Sequence, residues 1–453
     1  MISFLKNKVL GFWNGGHERT LKIKRNIIYT FLIKGTSVLV GFVLIPLTIG
    51  YLNKGQYGIW LTIASLVTWM NTFDIGLSNG LRNKMAHSLA LGEKDSIVKY
   101  ISTTYAMLFL ISLMIFGIFF IVGSFFNWNE LLNIKNSVSY NIWPIVLIAL
   151  GSFCVQFFLQ PINSVLTATH QPFKSSLILL AGQVLTFVLT YLLTIFTKGS
   201  LFTLVFVVAG SPLFVFLIAN IYYFNSELKP YAPKFSHIDF GSGRSLLSVG
   251  GVFFFIQMGA VVLYQTDNIV ITRTLGPDEV TTFNVAYKYF SVISVIFGII
   301  MNPYWSAFTD ASAKNDWDWI KHSIRKMRII WLYIAGVAML LYLFSDIFYK
   351  AWLHNKVIVP NILSLTMAIY VITVSWQSIY AYSLNGIGKL RMQLIFVVTT
   401  AILNIPLSVF LIRRVGISGT VIANIILVFI MNVVFAYQVN QIVKQKAKGI
   451  WNK

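Results

Sequence analysis

The chain has 453 residues, of which 57% are hydrophobic, 15% aromatic and only 11% charged, with a mean hydropathy of +0.74 and a formal net charge of +21. A water-soluble domain of this composition would expose more apolar surface than soluble proteins carry, which excludes the ordinary soluble enzymes and binding modules. The basic excess would suggest nucleic acid in a soluble chain; here its placement along the sequence excludes that reading too.

Residues 1–25 open the chain with MISFLKNKVLGFW, which has neither an apolar core of signal-peptide length nor a small-residue cleavage site. The segment is expected to lie on the membrane surface as a short amphipathic stretch. Twelve apolar stretches follow, at 26–50, 57–80, 101–124, 141–164, 177–196, 201–224, 247–271, 281–303, 329–350, 360–382, 393–412 and 417–440. Each is long enough to cross a hydrocarbon layer of about 30 Å as a helix, and only a helix or a closed barrel satisfies its backbone there. With the first residues on the cytoplasmic side, 25 Lys and Arg fall on that side, 8 on the other, counting Lys350 at the outer end of span 9, and two further inside spans. That imbalance predicts both termini in the cytoplasm, so the positive charge is a topology signal. The single cysteine, Cys154, allows no internal disulfide.

The organisation repeats. At an offset of 223 residues, spans 1–3 overlie spans 7–9, pairing Leu52 with Leu275, Glu93 with Asp316 and Ile97 with Ile320; at 217, Gln160 meets Gln377 and Lys174 meets Arg391. The longest basic cytoplasmic loop follows the second span in each half, at 81–100 and 304–328. Six spans per half give parallel repeats. The expected organisation is a cytoplasmic N-terminal segment 1–25, an N-terminal six-helix bundle 26–224, a cytoplasmic linker 225–246, a C-terminal six-helix bundle 247–440 and a cytoplasmic tail 441–453. The fold class is all-α integral membrane, twelve transmembrane helices in two bundles related by a pseudo-twofold along the membrane normal. In loop 310–328, Trp317, Ile320, Ile324 and Met327 share one helical face, which predicts a helix lying in the headgroup layer.

The run Gly55-Gln56-Tyr57-Gly58-Ile59-Trp60, followed by Asp74-Ile75-Gly76-Leu77 and Arg82, resembles the signature of bacterial polysaccharide-biosynthesis membrane proteins, the Wzx-type flippases. The run from Tyr264 to Ile271, then Leu275-Gly276 and Phe283-Asn284-Val285-Ala286, is similar to the opening of that family's C-terminal bundle. The resemblance implies the multidrug/oligosaccharidyl-lipid/polysaccharide (MOP) exporter superfamily, a MATE-like V-shaped pair of bundles and alternating access in the bacterial inner membrane. It also implies an undecaprenyl-diphosphate-linked oligosaccharide, such as an O-antigen repeat unit, as substrate.

A phosphorylated lipid headgroup carrying sugars calls for a hydrated, cationic cavity with aromatic faces. Lys34, eight residues into span 1, is the leading substrate-binding candidate, because an unpaired lysine there costs about 2.5–3.5 kcal/mol against lipid. An ion pair with Asp74 on span 2 is the competing reading. Arg25 at the mouth of span 1 and Arg82 at the cytoplasmic end of span 2 add charge. Lys288 on span 8 and Asp267 on span 7 fall at matched depth, either as a gate or ion-coupling pair or as a structural bridge. Arg273 would hold a phosphate in the outward state or flank its helix. Gln160, Gln257 and Gln377 are candidate cavity lining among amides that otherwise join helices. Asp74 and Asp267 are the gating or ion-coupling candidates.

No P-loop is present, all six histidines lie in loops, and no outer loop is long enough for a catalytic platform, so a non-enzymatic transporter is expected, with no metal and no cofactor. Its expected partners are the lipid-linked substrate, membrane lipids and a coupling ion, proton or sodium; association with glycan polymerase machinery is compatible with this reading. The alternative within the same superfamily is a cation-coupled multidrug or small-molecule antiporter, which would want an acidic cavity. A glycan polymerase is disfavoured by the missing outer loop.

Overall fold

The computed structural model describes residues 18–70, 74, 76–133, 141–169, 171–241, 258–259, 261 and 266–452, and among them every regular element is helical. The principal helices are α1 (Glu18–Tyr51), α2 (Lys54–Met70), α3 (Leu77–Leu91), α4 (Lys94–Gly123), α5 (Ile142–Leu159), α6 (Pro161–Ala168), α7 (Pro172–Phe196) and α8 (Leu201–Asn225). After them come α9 (Asp267–Leu275), α10 (Pro277–Ala313), α11 (Trp317–Leu353), α12 (Asn361–Ile387), α13 (Arg391–Val415) and α14 (Ser418–Val443).

Ten stretches among the described residues are long and apolar enough to cross a membrane. Predicted span 2 falls on the 17-residue α2, and most of predicted span 7 lies outside the described residues. The fold is thus all-α and multi-pass. Leu110, Leu113, Ile118 and Ile121 on α4 and Leu340, Leu343 and Ile347 on α11 are exposed, as side chains solvated by lipid must be.

Two boundaries differ from the sequence reading. Span 57–80 is not one helix: α2 ends at Met70, and α3 starts after Gly76, whose φ of 80° is the left-handed conformation glycine tolerates. The Asp74 carboxylate accepts hydrogen bonds from the Ser78 N–H at 3.2 Å and the Ser78 hydroxyl at 3.0 Å, satisfying a donor of the first α3 turn. The second difference concerns 310–328, which is no separate surface helix. Helix α10 runs on to Ala313, the Asp316 carboxylate caps the next helix by accepting the Trp319 N–H at 3.0 Å, and α11 continues unbroken to Leu353. Its apolar face, Ile320, Ile324 and Met327, is buried against protein, with Trp319 edge-on to Phe308 at 5.9 Å. At 37 residues, α11 is about 55 Å long, so it overruns the hydrocarbon layer and carries its charged first turns into the headgroups.

Contacts divide the chain into two compact units: Met1–Leu47, Asp74–Ser124 and Leu147–Gly250 form one, and Thr48–Phe73, Phe125–Val146 and Gly251–Lys453 the other. Residues 48–73, placed in the N-terminal bundle by the sequence, therefore group with the second unit. The first unit packs around Leu81, Met85, Ile101, Ile162, Leu166 and Phe216. A buried polar pin crosses it. The Tyr105 hydroxyl donates to the Asn220 carbonyl at 2.5 Å, and the Asn220 amide donates to the backbone carbonyls of Leu159 (3.0 Å) and Phe216 (2.8 Å).

The expected linker is strapped to α4. Lys234 N–H donates to the Ser102 hydroxyl at 2.8 Å; the Thr103 hydroxyl accepts the Asp239 N–H at 3.0 Å and donates to the Asp239 carbonyl at 3.3 Å; Lys99 pairs with the Asp239 carboxylate at 2.6 Å.

In the second unit, α2 begins with a reciprocal capping box. The Asn53 side chain accepts the Gln56 N–H at 2.8 Å, and the Gln56 side chain accepts the Asn53 N–H at 3.3 Å. Gly58 then brings α2 against the start of α10 so closely that a Cβ on it would lie 1.8 Å from the Pro277 carbonyl oxygen. Thr62 and Thr272 hydroxyls meet at 2.6 Å, and the Thr281 hydroxyl donates to the Lys54 carbonyl at 2.6 Å, locking the same junction. The motif behind the family resemblance is thus a cap and a close packing contact.

Candidate functional site

In the first unit, α1 carries Lys34 at its midpoint with an exposed side chain. Ser37, one turn further along the same face, donates its hydroxyl to the Gln183 side-chain carbonyl on α7, and Tyr29 meets Phe173 at 6.0 Å between the same helices. Lys34, Ser37 and Gln183 therefore form one polar strip on α1 and α7. No ion pair joins Lys34 to Asp74 among the described residues, and Asp74 instead serves the α3 terminus, which disposes of the pairing as an account of Lys34. Arg82 is exposed on α3, and Gln160 is half-buried at the α5–α6 junction. Arg25 is on α1 with its side chain outside the described residues, and Gln257 lies outside the described residues altogether.

In the second unit the polar groups gather around Asp267, the first residue of α9, which is 4% exposed. A chain of amides leads to it from α13 and α14. The Thr266 hydroxyl donates to the Asn404 carbonyl (3.0 Å), the Asn404 amide to the Asn424 carbonyl (2.6 Å), and the Asn424 amide to Asp267 Oδ2 (2.7 Å). Asp267 Oδ1 accepts no hydrogen bond from the described residues. A cavity of about 40 Å³ adjoins it, lined also by Asn268, Asn284, Tyr287 and Tyr370, with the Asn284 amide donating to the Asn268 carbonyl at 2.7 Å. That volume admits a water or a single small ion. The cluster thus presents oxygen ligands and one uncommitted carboxylate oxygen inside a helical core.

Lys288 follows one turn after Asn284 on α10 and is half-buried. Gln377 is buried in α12, its amide 3.6 Å from the Met431 sulfur, so it sits in the helical interior and not on an open wall. Arg273 is exposed at the end of α9 and shares a cavity of about 600 Å³ with Arg413 of α13. The sequence reading singled out neither Arg413 nor Asn424. An amide inside an apolar run was the available signal for Asn424.

The polysaccharide biosynthesis protein family matches residues 23–309. A Yersinia pseudotuberculosis protein named for O-antigen export is 23% identical over 81% of this chain and 84% of its own length. A Salmonella typhimurium protein named for O-antigen transport is 22% identical over 87% and 91%. An inward-facing multidrug resistance MATE transporter of the MOP superfamily superposes with a TM-score of 0.72 at 12% identity, covering 93% of this chain and 98% of its own. An outward-facing MATE transporter of that superfamily gives 0.59 at 13%, covering 94% and 97%. The chain belongs to the polysaccharide biosynthesis protein family and has the fold of the MATE transporters.

Proposed function

We propose that this multi-pass protein of the bacterial inner membrane, with both termini in the cytoplasm, moves an undecaprenyl-diphosphate-linked oligosaccharide from the cytoplasmic to the outer leaflet by alternating access of two six-helix bundles. The observation that carries the reading is Lys34, exposed on α1 at the third position of the apolar stretch Leu32–Tyr51. An ammonium group turned toward lipid is costly, up to about 2.5–3.5 kcal/mol at a helix centre, so the strip it shares with Ser37 and Gln183 faces water and offers a cation, a hydroxyl and an amide to a diphosphate and its first sugar. Arg25 and Arg82 assist at the entrance, Arg273 receives the phosphates at the far end, Lys288, Gln160 and Gln257 line the route, and Gln377 braces the helices beside it. The relatives named for O-antigen export and transport support the substrate class.

Asp267 is the proposed coupling group, binding a proton or sodium ion at its free carboxylate oxygen; Asp74 is left to gating through the α3 terminus. The test is reconstitution of the purified protein into vesicles holding a lipid-linked oligosaccharide, with a membrane-impermeant glycosidase reporting which leaflet the sugars occupy. Lys34→Ala is expected to slow translocation at least about tenfold, the loss of one charge-assisted contact, with insertion unchanged. Translocation at the unmodified rate would remove Lys34 from the mechanism.

A further inference from the structure

The first turns of α11 reach beyond the apolar stretch of that helix, and their charge has no part in the scheme above. Lys321, Arg325 and Arg328 are spaced i, i+4, i+7 and so share a face, with His322 beside them, and they line a cavity of about 540 Å³ against α14. From Lys321 to Arg328 the helix rises about 10 Å. Asp318 is the one carboxylate on the wall. Arg328 is held in place: its Nε donates to the Tyr380 hydroxyl at 3.1 Å, and its guanidinium lies 5.8 Å from the Trp376 ring and 5.7 Å from the Tyr380 ring. Among the described residues Lys321 and Arg325 make no hydrogen bond or ion pair. The remaining wall carries the amide of Asn440 beside the apolar Ile324, Val439 and Val443.

Three cations in a row above an apolar wall, at the level where α11 leaves the hydrocarbon, match a lipid with two phosphates more closely than one with a single phosphate. Basic pockets between transmembrane helices on the cytoplasmic side take such headgroups, and the anionic leaflet supplies them. We infer that this cavity binds a phospholipid of the diphosphatidylglycerol type, its two phosphates on Lys321, Arg325 and Arg328 and an acyl chain along Ile324, Val439 and Val443. The site is independent of the translocation reading, since none of its residues belongs to the Lys34 strip or the Asp267 cluster.

Native mass spectrometry of the full chain in detergent tests it, with diphosphatidylglycerol, phosphatidylglycerol and phosphatidylcholine added in turn. Retention should follow that order and fall as salt is raised. The double variant K321Q/R325Q should lose diphosphatidylglycerol about 30-fold, about fivefold for each cation removed, while phosphatidylcholine is unaffected; K321R/R325K should keep it. Equal retention of the three lipids, or full retention by K321Q/R325Q, overturns the assignment. So does displacement of diphosphatidylglycerol by stoichiometric undecaprenyl diphosphate, which would make the cavity a reception point for the carrier lipid. Should the double variant fail to fold, lipid order and salt dependence in the unmodified protein decide alone.

Discussion

Replacing Gly58 by alanine tests the packing on which the second unit rests. The added Cβ would stand 1.8 Å from the Pro277 carbonyl oxygen, whereas such contacts need at least 3.0 Å, so the backbones must part by at least 1.2 Å. The obstructing atom is main chain, with no rotamer to turn aside. Overpacking of this kind costs about 1–3 kcal/mol, and separating α2 from α10 endangers the buried Thr62–Thr272 and Thr281–Lys54 hydrogen bonds, each contributing about 0.5–1.5 kcal/mol. A total of about 2–6 kcal/mol exceeds the gain of up to about 1 kcal/mol from placing alanine in a helix. The midpoint of thermal unfolding, followed by intrinsic fluorescence in detergent, should fall by several degrees. Gly298→Ala and Gly336→Ala are matched controls, because a Cβ at either meets nothing within 4 Å. They should hold or raise the midpoint. If Gly58→Ala unfolds with the controls, the close junction of α2 and α10 is wrong.

Asp267→Asn keeps an acceptor for the Asn424 amide but removes the charge, so the protein should fold while translocation stops responding to imposed proton or sodium gradients; a preserved response would place coupling elsewhere. Thr103→Val is close in shape and deletes both hydrogen bonds to Asp239, leaving the linker held by Ser102 and the Lys99–Asp239 pair. Trypsin should then cut after Lys234 about 5–30 times faster, and an unchanged rate would show that Thr103 does not hold the strap.

Much of the fold is legible in the sequence because lipid imposes one rule on every span, that backbone groups bond within the helix, and hydropathy reports it directly. Helix ends are less legible. Nothing in the apolar run marks Met70 as an end, yet the left-handed Gly76 and the Asp74 side chain begin α3 there. The Ile320, Ile324 and Met327 face was correctly periodic, but periodicity does not say whether lipid or protein covers it, and protein does. Lys34 is visible from sequence because a charge in an apolar run is costly wherever it points. The Asp267 cluster is only half visible: Asp267 and Asn404 stand out singly, whereas their link through Asn424, 157 residues from Asp267, exists only after α9, α13 and α14 pack.

The contact at Gly58 also constrains motion. Where two helices meet main chain to main chain, no side-chain layer lies between them to yield, so the junction cannot slide or tilt by small steps. In the proposed transport cycle α2 must therefore travel with α10 as one stiff piece, and whatever flexing the second unit undergoes has to be absorbed outside residues 54–62 and 272–281.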